Sequence, residues 1–250
     1  MISDPQGTVM ALFLAFCRIG ACLMVMPGFS SARLPMQVRL LLAMALAMAI
    51  LPLLWTTIYP VVKADSITFL KFMFFESLVG ATFGMIAHLY VLGMQFAATA
   101  MGTAISFTGP PAQDVLEDTS ENQLASMLSY GVLLLLFILD FHHVVFRAIV
   151  DSYGSIPLGG MISVQRMLIT LTDTLVAAMN IALRVASPFI LYGFLFNVAI
   201  GLINKLAPQI PVYFISTPYA LGGGLLLLYF GIAALVNQFV TGFFRVFANM

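Results

Sequence analysis

Long uncharged stretches dominate this chain, and their lengths set the first expectation. A helix needs roughly 20 mostly apolar residues to cross a bilayer. Six stretches reach that length: about Thr8 to Pro27, Met36 to Trp55, Ile67 to Leu92, Leu124 to Val150, Val185 to Asn204 and Tyr219 to Val240. Trp55 and Tyr59 close the second, where amphipathic rings favour the headgroup level. Ahead of the fifth, Val164, Met167, Leu168, Leu171, Leu175 and Met179 recur at helical spacing, with Gln165, Arg166, Thr170, Asp173 and Thr174 on other faces. That pattern predicts a separate amphipathic helix over Ser163–Asn180. Pro208, Pro211 and Pro218 predict an irregular hairpin before the last span. Gly28–Pro35, Pro60–Ser66 and Ser152–Gly160 read as loops. The first stretch lacks a basic lead and contains Arg18, so it reads as a retained span, not a cleaved signal.

Gly93–Ala112 departs from this pattern. It is uncharged but rich in Gly, Ala, Thr and Ser, which permit close helix approach. It ends in Gly109-Pro110-Pro111, which cannot continue a helix. Four acids follow with no base: Asp114, Glu117, Asp118 and Glu121. A structural role explains most of them. Asp118 or Ser120 can cap the fourth helix, Ser120-x-x-Gln123 has capping-box spacing, and acids suit a first helical turn.

Composition narrows the class. Hydrophobic residues make up 62% of the 250 and charged residues 8%, against about 45–50% and 25% in soluble domains. Twenty charged side chains cannot cover a water-soluble protein of this size, so a soluble enzyme is excluded. Net charge is zero and no basic patch exists to hold phosphates, which excludes a nucleic-acid partner. The fold expected is an all-α polytopic membrane protein forming one domain over residues 1–250. Under the positive-inside rule the loops decide nothing: Arg33, Arg39 and Lys205 stand on one side, Lys63, Arg147, Arg166 and Arg245 on the other.

No nucleotide loop, HExxH, GxSxG or EF-hand pattern is present, so neither a cofactor nor an enzymatic activity is expected. Gly222-Gly223-Gly224 is no dinucleotide fingerprint and suits helix packing or a kink. Cys17 and Cys22 do not share a helix face and read as packed apolar side chains. The informative residues are polar ones inside apolar stretches: Arg18, Glu76, His88, Asp140 and Arg184. A charge at mid-bilayer costs about 2.5 kcal/mol or more, so such groups face protein or water. Arg18 and Glu76 can pair as a structural contact, or they can join His88 in a proton relay. His142 and His143 follow Asp140, but neighbours on a helix point about 100° apart and do not easily share one ion, so no metal is expected. Gly80-x-x-x-Gly84 has the spacing of a helix contact.

Several motifs tell more by their order than singly. The series opens with Arg18-Ile19-Gly20, Pro27, Leu34-Pro35 and Arg39-Leu40-Leu41-Leu42-Ala43 running to Leu51-Pro52. It continues through Gly102, Asp140-Phe141-His142-His143 and Ser152 to Gly159, then Ala186-Ser187-Pro188-Phe189. Its most telling stretch runs from Gly201 through Pro208-Gln209 to Phe214. In this order the motifs resemble the FliR/SctT family of type III export gate components. Two departures stand out: Asp140 where Gly or Asn is common in the family, and Pro211 where Asn is usual.

The resemblance implies an inner-membrane protein whose spans are bent hairpins. It implies assembly with FliP-like and FliQ-like subunits into a conduit, completed by FlhB-like and FlhA-like subunits. Unfolded flagellar proteins are the implied cargo, and membrane lipid surrounds part of the assembly. It also implies a pore plug between the third and fourth apolar segments, here Thr103, Ile105, Ser106, Phe107, Thr108, Gly109, Pro110 and Pro111. The alternatives are an injectisome component of the SctT type and a proton-coupled secondary transporter.

Overall fold

The computed structural model describes residues 4–30, 34–63, 66–106, 112–113, 120–121, 123–156, 158 and 164–248. Seven α-helices carry the described chain: α1 Pro5–Val25, α2 Met36–Ile58, α3 Ser66–Ala104, α4 Gln123–Ile138, α5 Phe141–Ser155, α6 Val164–Leu206 and α7 Val212–Ala248. Two short strands, β1 Ala112–Gln113 and β2 Ser120–Glu121, pair antiparallel between α3 and α4, with Ala112 opposite Glu121. Five helices are long and apolar enough to cross a membrane, and α4 with α5 can supply a sixth crossing as a broken pair. The chain divides into two compact units. One holds residues 1–89, 137–175 and 244–250, the other residues 90–136 and 176–243.

In the first unit, α1 opens on Asp4, whose carboxylate accepts the Gly7 N–H at 3.0 Å, with Pro5 at the first helical position. Ala43, Ala47, Leu51, Leu54 and Ile58 form the buried stripe of α2, at spacings of three and four. The α1–α2 hairpin is closed where Tyr59 stacks on Trp55 at 4.6 Å and donates to Asp4 at 2.9 Å. In the second unit, Ala97, Ala98, Met101, Ile105, Phe189, Phe239 and Phe243 are buried, and Tyr90 meets Phe243 edge-on at 5.8 Å. An apolar crevice of about 570 Å³ runs among Met94, Leu128, Val132, Leu228, Leu235 and Phe239.

Several sequence expectations are corrected. The third helix does not stop at Leu92: α3 runs 39 residues to Ala104, because Gly and Ala in this stretch let the chain stay helical while packed. The sequence Gly109-Pro110-Pro111 comes after the stop: the helix ends at Ala104, and Ser106 follows with a left-handed φ of 59°. The amphipathic segment and the fifth span are not separate but form the single 43-residue α6, with Pro188 inside it. The proline-rich hairpin shrinks to residues 207–211, and Pro218 is accommodated within α7. The fourth stretch is broken, because Asp140 adopts a left-handed conformation with φ of 54°. Ser152 to Ser155 are the last turn of α5, not a loop. Ser120 lies in β2 and Gln123 is the first residue of α4, so the capping box does not form. Asp114, Glu117 and Asp118 lie outside the described residues.

The lengths matter for function. At 1.5 Å per residue, α3, α6 and α7 measure about 55–65 Å, nearly twice a hydrocarbon core of about 30 Å. A straight bilayer crossing therefore accounts for roughly half of each helix.

Candidate functional site

In the first unit, the two buried charges meet. Arg18 on α1 donates through Nε and Nη2 to the two carboxylate oxygens of Glu76 on α3, at 2.6 and 2.8 Å. The fork is bidentate, the strong geometry for this pair. Both side chains are at most 3% exposed. Two further donors are used: Nη1 reaches the Ser152 hydroxyl at 2.8 Å and Nη2 the Ile156 carbonyl at 3.2 Å. The guanidinium lies 3.7 Å over the ring of Tyr153. Ser152 in turn donates to the Ile149 carbonyl at 2.5 Å. Three helices are thereby joined at one buried cation. Such a network, with all three Arg18 nitrogens engaged, is suited to holding helices in register and not to passing protons.

Small residues bring α1 and α3 close enough for this contact. A Cβ on Gly80 would overlap the carbonyl oxygen of Arg18, and one on Gly84 would come within 2.6 Å of the Cys22 carbonyl oxygen. Gly80 and Gly84 thus form the seam on which Arg18 and Glu76 face each other. Cys22 is buried and Cys17 half-buried, both as free thiols. His88, the other candidate for a relay, is half-buried one turn beyond Gly84.

In the second unit, the end of α3 is gripped tightly. Ile105 is fully buried, and its side chain occupies the space that a Cβ on Gly224 would need. A Cβ on Gly193 would overlap the carbonyl oxygen of Ala104. Thr103 is exposed, and its hydroxyl donates back to the Thr99 and Ala100 carbonyls at 3.1 and 3.0 Å. Phe107, Thr108, Gly109, Pro110 and Pro111 lie outside the described residues. The segment of the expected plug is nevertheless bounded on both sides, by the anchored turn at Ile105–Ser106 and by the β1–β2 pair.

Arg184 is exposed on α6, beside a shallow crevice that includes Phe230 and Gln238. The helices around it leave large apolar surfaces uncovered. Only 22% and 17% of the most apolar windows of α6 and α7 are buried, against 56% in α3. Leu191, Phe194, Leu202, Phe214, Tyr229 and Phe230 are all more than half exposed. Asp140, also exposed, sits at the α4–α5 break with His142 and His143 beside it. The two imidazoles do not diverge as helical spacing alone predicts: their centres are 4.3 Å apart.

Sequence reasoning missed Ser152, Tyr153 and the Ile156 carbonyl as partners of Arg18. No local signal marks them, because the contact joins positions 134 and more residues apart.

Residues 9–246 match the family described as bacterial export proteins, family 1. The flagellar biosynthetic protein FliR of Caulobacter vibrioides is 28% identical over 220 residues, covering 86% of this chain and 85% of the relative. The FliR proteins of Aquifex aeolicus and Escherichia coli are 24% and 25% identical, covering 96% and 86% of this chain and 93% and 82% of their own lengths.

Proposed function

The chain belongs to the bacterial export proteins of family 1, the FliR/SctT family, and from that premise we propose that it serves as the FliR-type subunit of a flagellar export gate. Members of this family are inner-membrane components of the flagellar or injectisome export gate, and they are not enzymes. Association with the flagellar export-gate complex follows from membership. Our reading goes further. The chain packs beside FliP-like and FliQ-like subunits to wall a conduit, FlhB-like and FlhA-like subunits complete the gate, and unfolded flagellar proteins pass through.

The observation that carries this reading is the mismatch between helix length and burial. Helices α6 and α7 are about twice as long as the hydrocarbon core of a bilayer is thick, yet they bury about a fifth of their apolar windows. Lipid can cover only part of such a surface, so neighbouring subunits are needed for the rest. Residues Thr103 to Pro111 serve in this reading as the plug. Ile105 anchors one end, while short side chains and glycine allow the segment to yield to cargo. A proton-coupled transporter is disfavoured, because Arg18 and Glu76 are locked together.

Extraction of the chain in mild detergent, followed by mass determination of the intact particle, tests the proposal. A large particle containing FliP-like and FliQ-like chains is expected. A stable single chain that transports a solute in vesicles would overturn the proposal.

A further inference from the structure

We propose that Asp140, His142 and His143 form a binding site for a divalent transition-metal ion at the break between α4 and α5. The carboxylate oxygen Oδ1 of Asp140 lies 3.6 Å from Nδ1 of His143 and 4.0 Å from Nε2 of His142. One potential ligand atom from each of the three residues lies within 4.8 Å of the other two. Donors bound at about 2.0–2.2 Å around one tetrahedral ion stand about 3.4 Å apart. Small side-chain rotations close the remaining gap.

The local backbone explains how neighbouring histidines manage this. Asp140 is left-handed and makes no side-chain cap bond to α5, although Asp is a favoured cap residue. Its backbone carbonyl accepts the His143 N–H at 2.9 Å instead, which leaves the carboxylate free to turn towards the rings. The two imidazoles then approach with different atoms. His143 offers its near nitrogen, Nδ1, and His142 its far nitrogen, Nε2. The difference in reach offsets the angle of about 100° between their Cα–Cβ directions. The rings lie 4.3 Å apart and 39° from parallel, packed against Phe137 and Phe141 through His142.

The donor set selects the ion. Two imidazoles and one carboxylate suit zinc, cobalt, nickel or copper, and not magnesium or calcium, which prefer all-oxygen shells. Three protein donors leave positions for water. His143 and Asp140 are 72% and 69% exposed, so the chain itself leaves the open side of the site uncovered. Among the described residues, the other nitrogen of His142, Nδ1, is buried without a hydrogen-bond partner.

Cobalt titration of the full-length chain in detergent, with any affinity tag removed, tests the site by ligand-field absorption and calorimetry. One equivalent of Co²⁺ is expected to bind, displaceable by Zn²⁺. His143→Ala and Asp140→Asn should each weaken binding by at least about tenfold, with helical circular dichroism unchanged. His88→Ala removes the chain's remaining histidine and should leave binding intact. Absence of a ligand-field spectrum, full binding by His143→Ala, or loss of binding in His88→Ala alone would overturn the proposal.

Discussion

Replacing Glu76 by Gln tests the central packing argument, because it removes one charge and almost no volume. Arg18 then keeps its full positive charge at a site where its side chain has no exposed surface. Of the two short bonds at 2.6 and 2.8 Å, one loses its charge and the other meets an amide NH₂ that cannot accept. The Ser152 hydroxyl and Ile156 carbonyl remain as neutral acceptors and cannot balance the cation. Breaking a buried pair in this way costs about 3–5 kcal/mol. For a chain of this size, each kcal/mol moves the thermal midpoint by about 2–4 °C, giving a fall of roughly 6–20 °C. Thermal unfolding of the detergent-solubilised chain, followed by circular dichroism, provides the assay. The paired replacement Arg18→Met with Glu76→Leu removes both charges while filling the space, and it should recover most of the loss. A shift below about 2 °C for Glu76→Gln, or a double variant no better than the single one, would refute the reasoning.

Other expectations follow from the same contacts. Gly80→Ala should destabilise by about 1–3 kcal/mol through overpacking, and more than Gly84→Ala, because the obstacle is the Arg18 carbonyl lying nearer than the Cys22 carbonyl; the two thermal midpoints give the ranking. Removing Phe107–Pro111 should leave assembly intact and make membranes leak ions, as read by dye or ion flux; a tight, complete gate would rule out the plug. Phe230→Asp, at a side chain 79% exposed on α7, should move the isolated chain's midpoint by no more than about 2 °C yet sharply reduce recovery of the assembled complex on native gels.

The apolar runs made the helical membrane fold legible, since a stretch like Met36–Ile58 admits almost nothing else. Boundaries were legible only where local chemistry set them, as at Asp4 and Pro5 on α1. Proline misled as a stop signal: Pro52, Pro188 and Pro218 all sit inside helices. Prolines of this kind are tolerated in apolar helices because neighbouring groups satisfy the freed carbonyls. Conversely, the break in the fourth stretch is made by Asp140, which carries no strong breaker signal. Composition identified Arg18 and Glu76 as significant, because charge is so scarce. Their companions Ser152 and Tyr153 are ordinary residues in an ordinary sequence and acquire a role only through tertiary contact. The large exposed faces of α6 and α7 are not legible in the sequence, because apolar runs look the same whether lipid, core or a neighbouring subunit covers them.

Whether cargo passes the anchored end of α3 is open to direct measurement. A photo-crosslinking residue in place of Ser106, in cells where an export substrate is stalled by a fused folded domain, should yield an adduct between this chain and the substrate. Adducts should be absent from Tyr59, at the closed end of the α1–α2 hairpin. A stalled substrate that never links to position 106, in a gate that still exports with the substituted chain, would contradict the account.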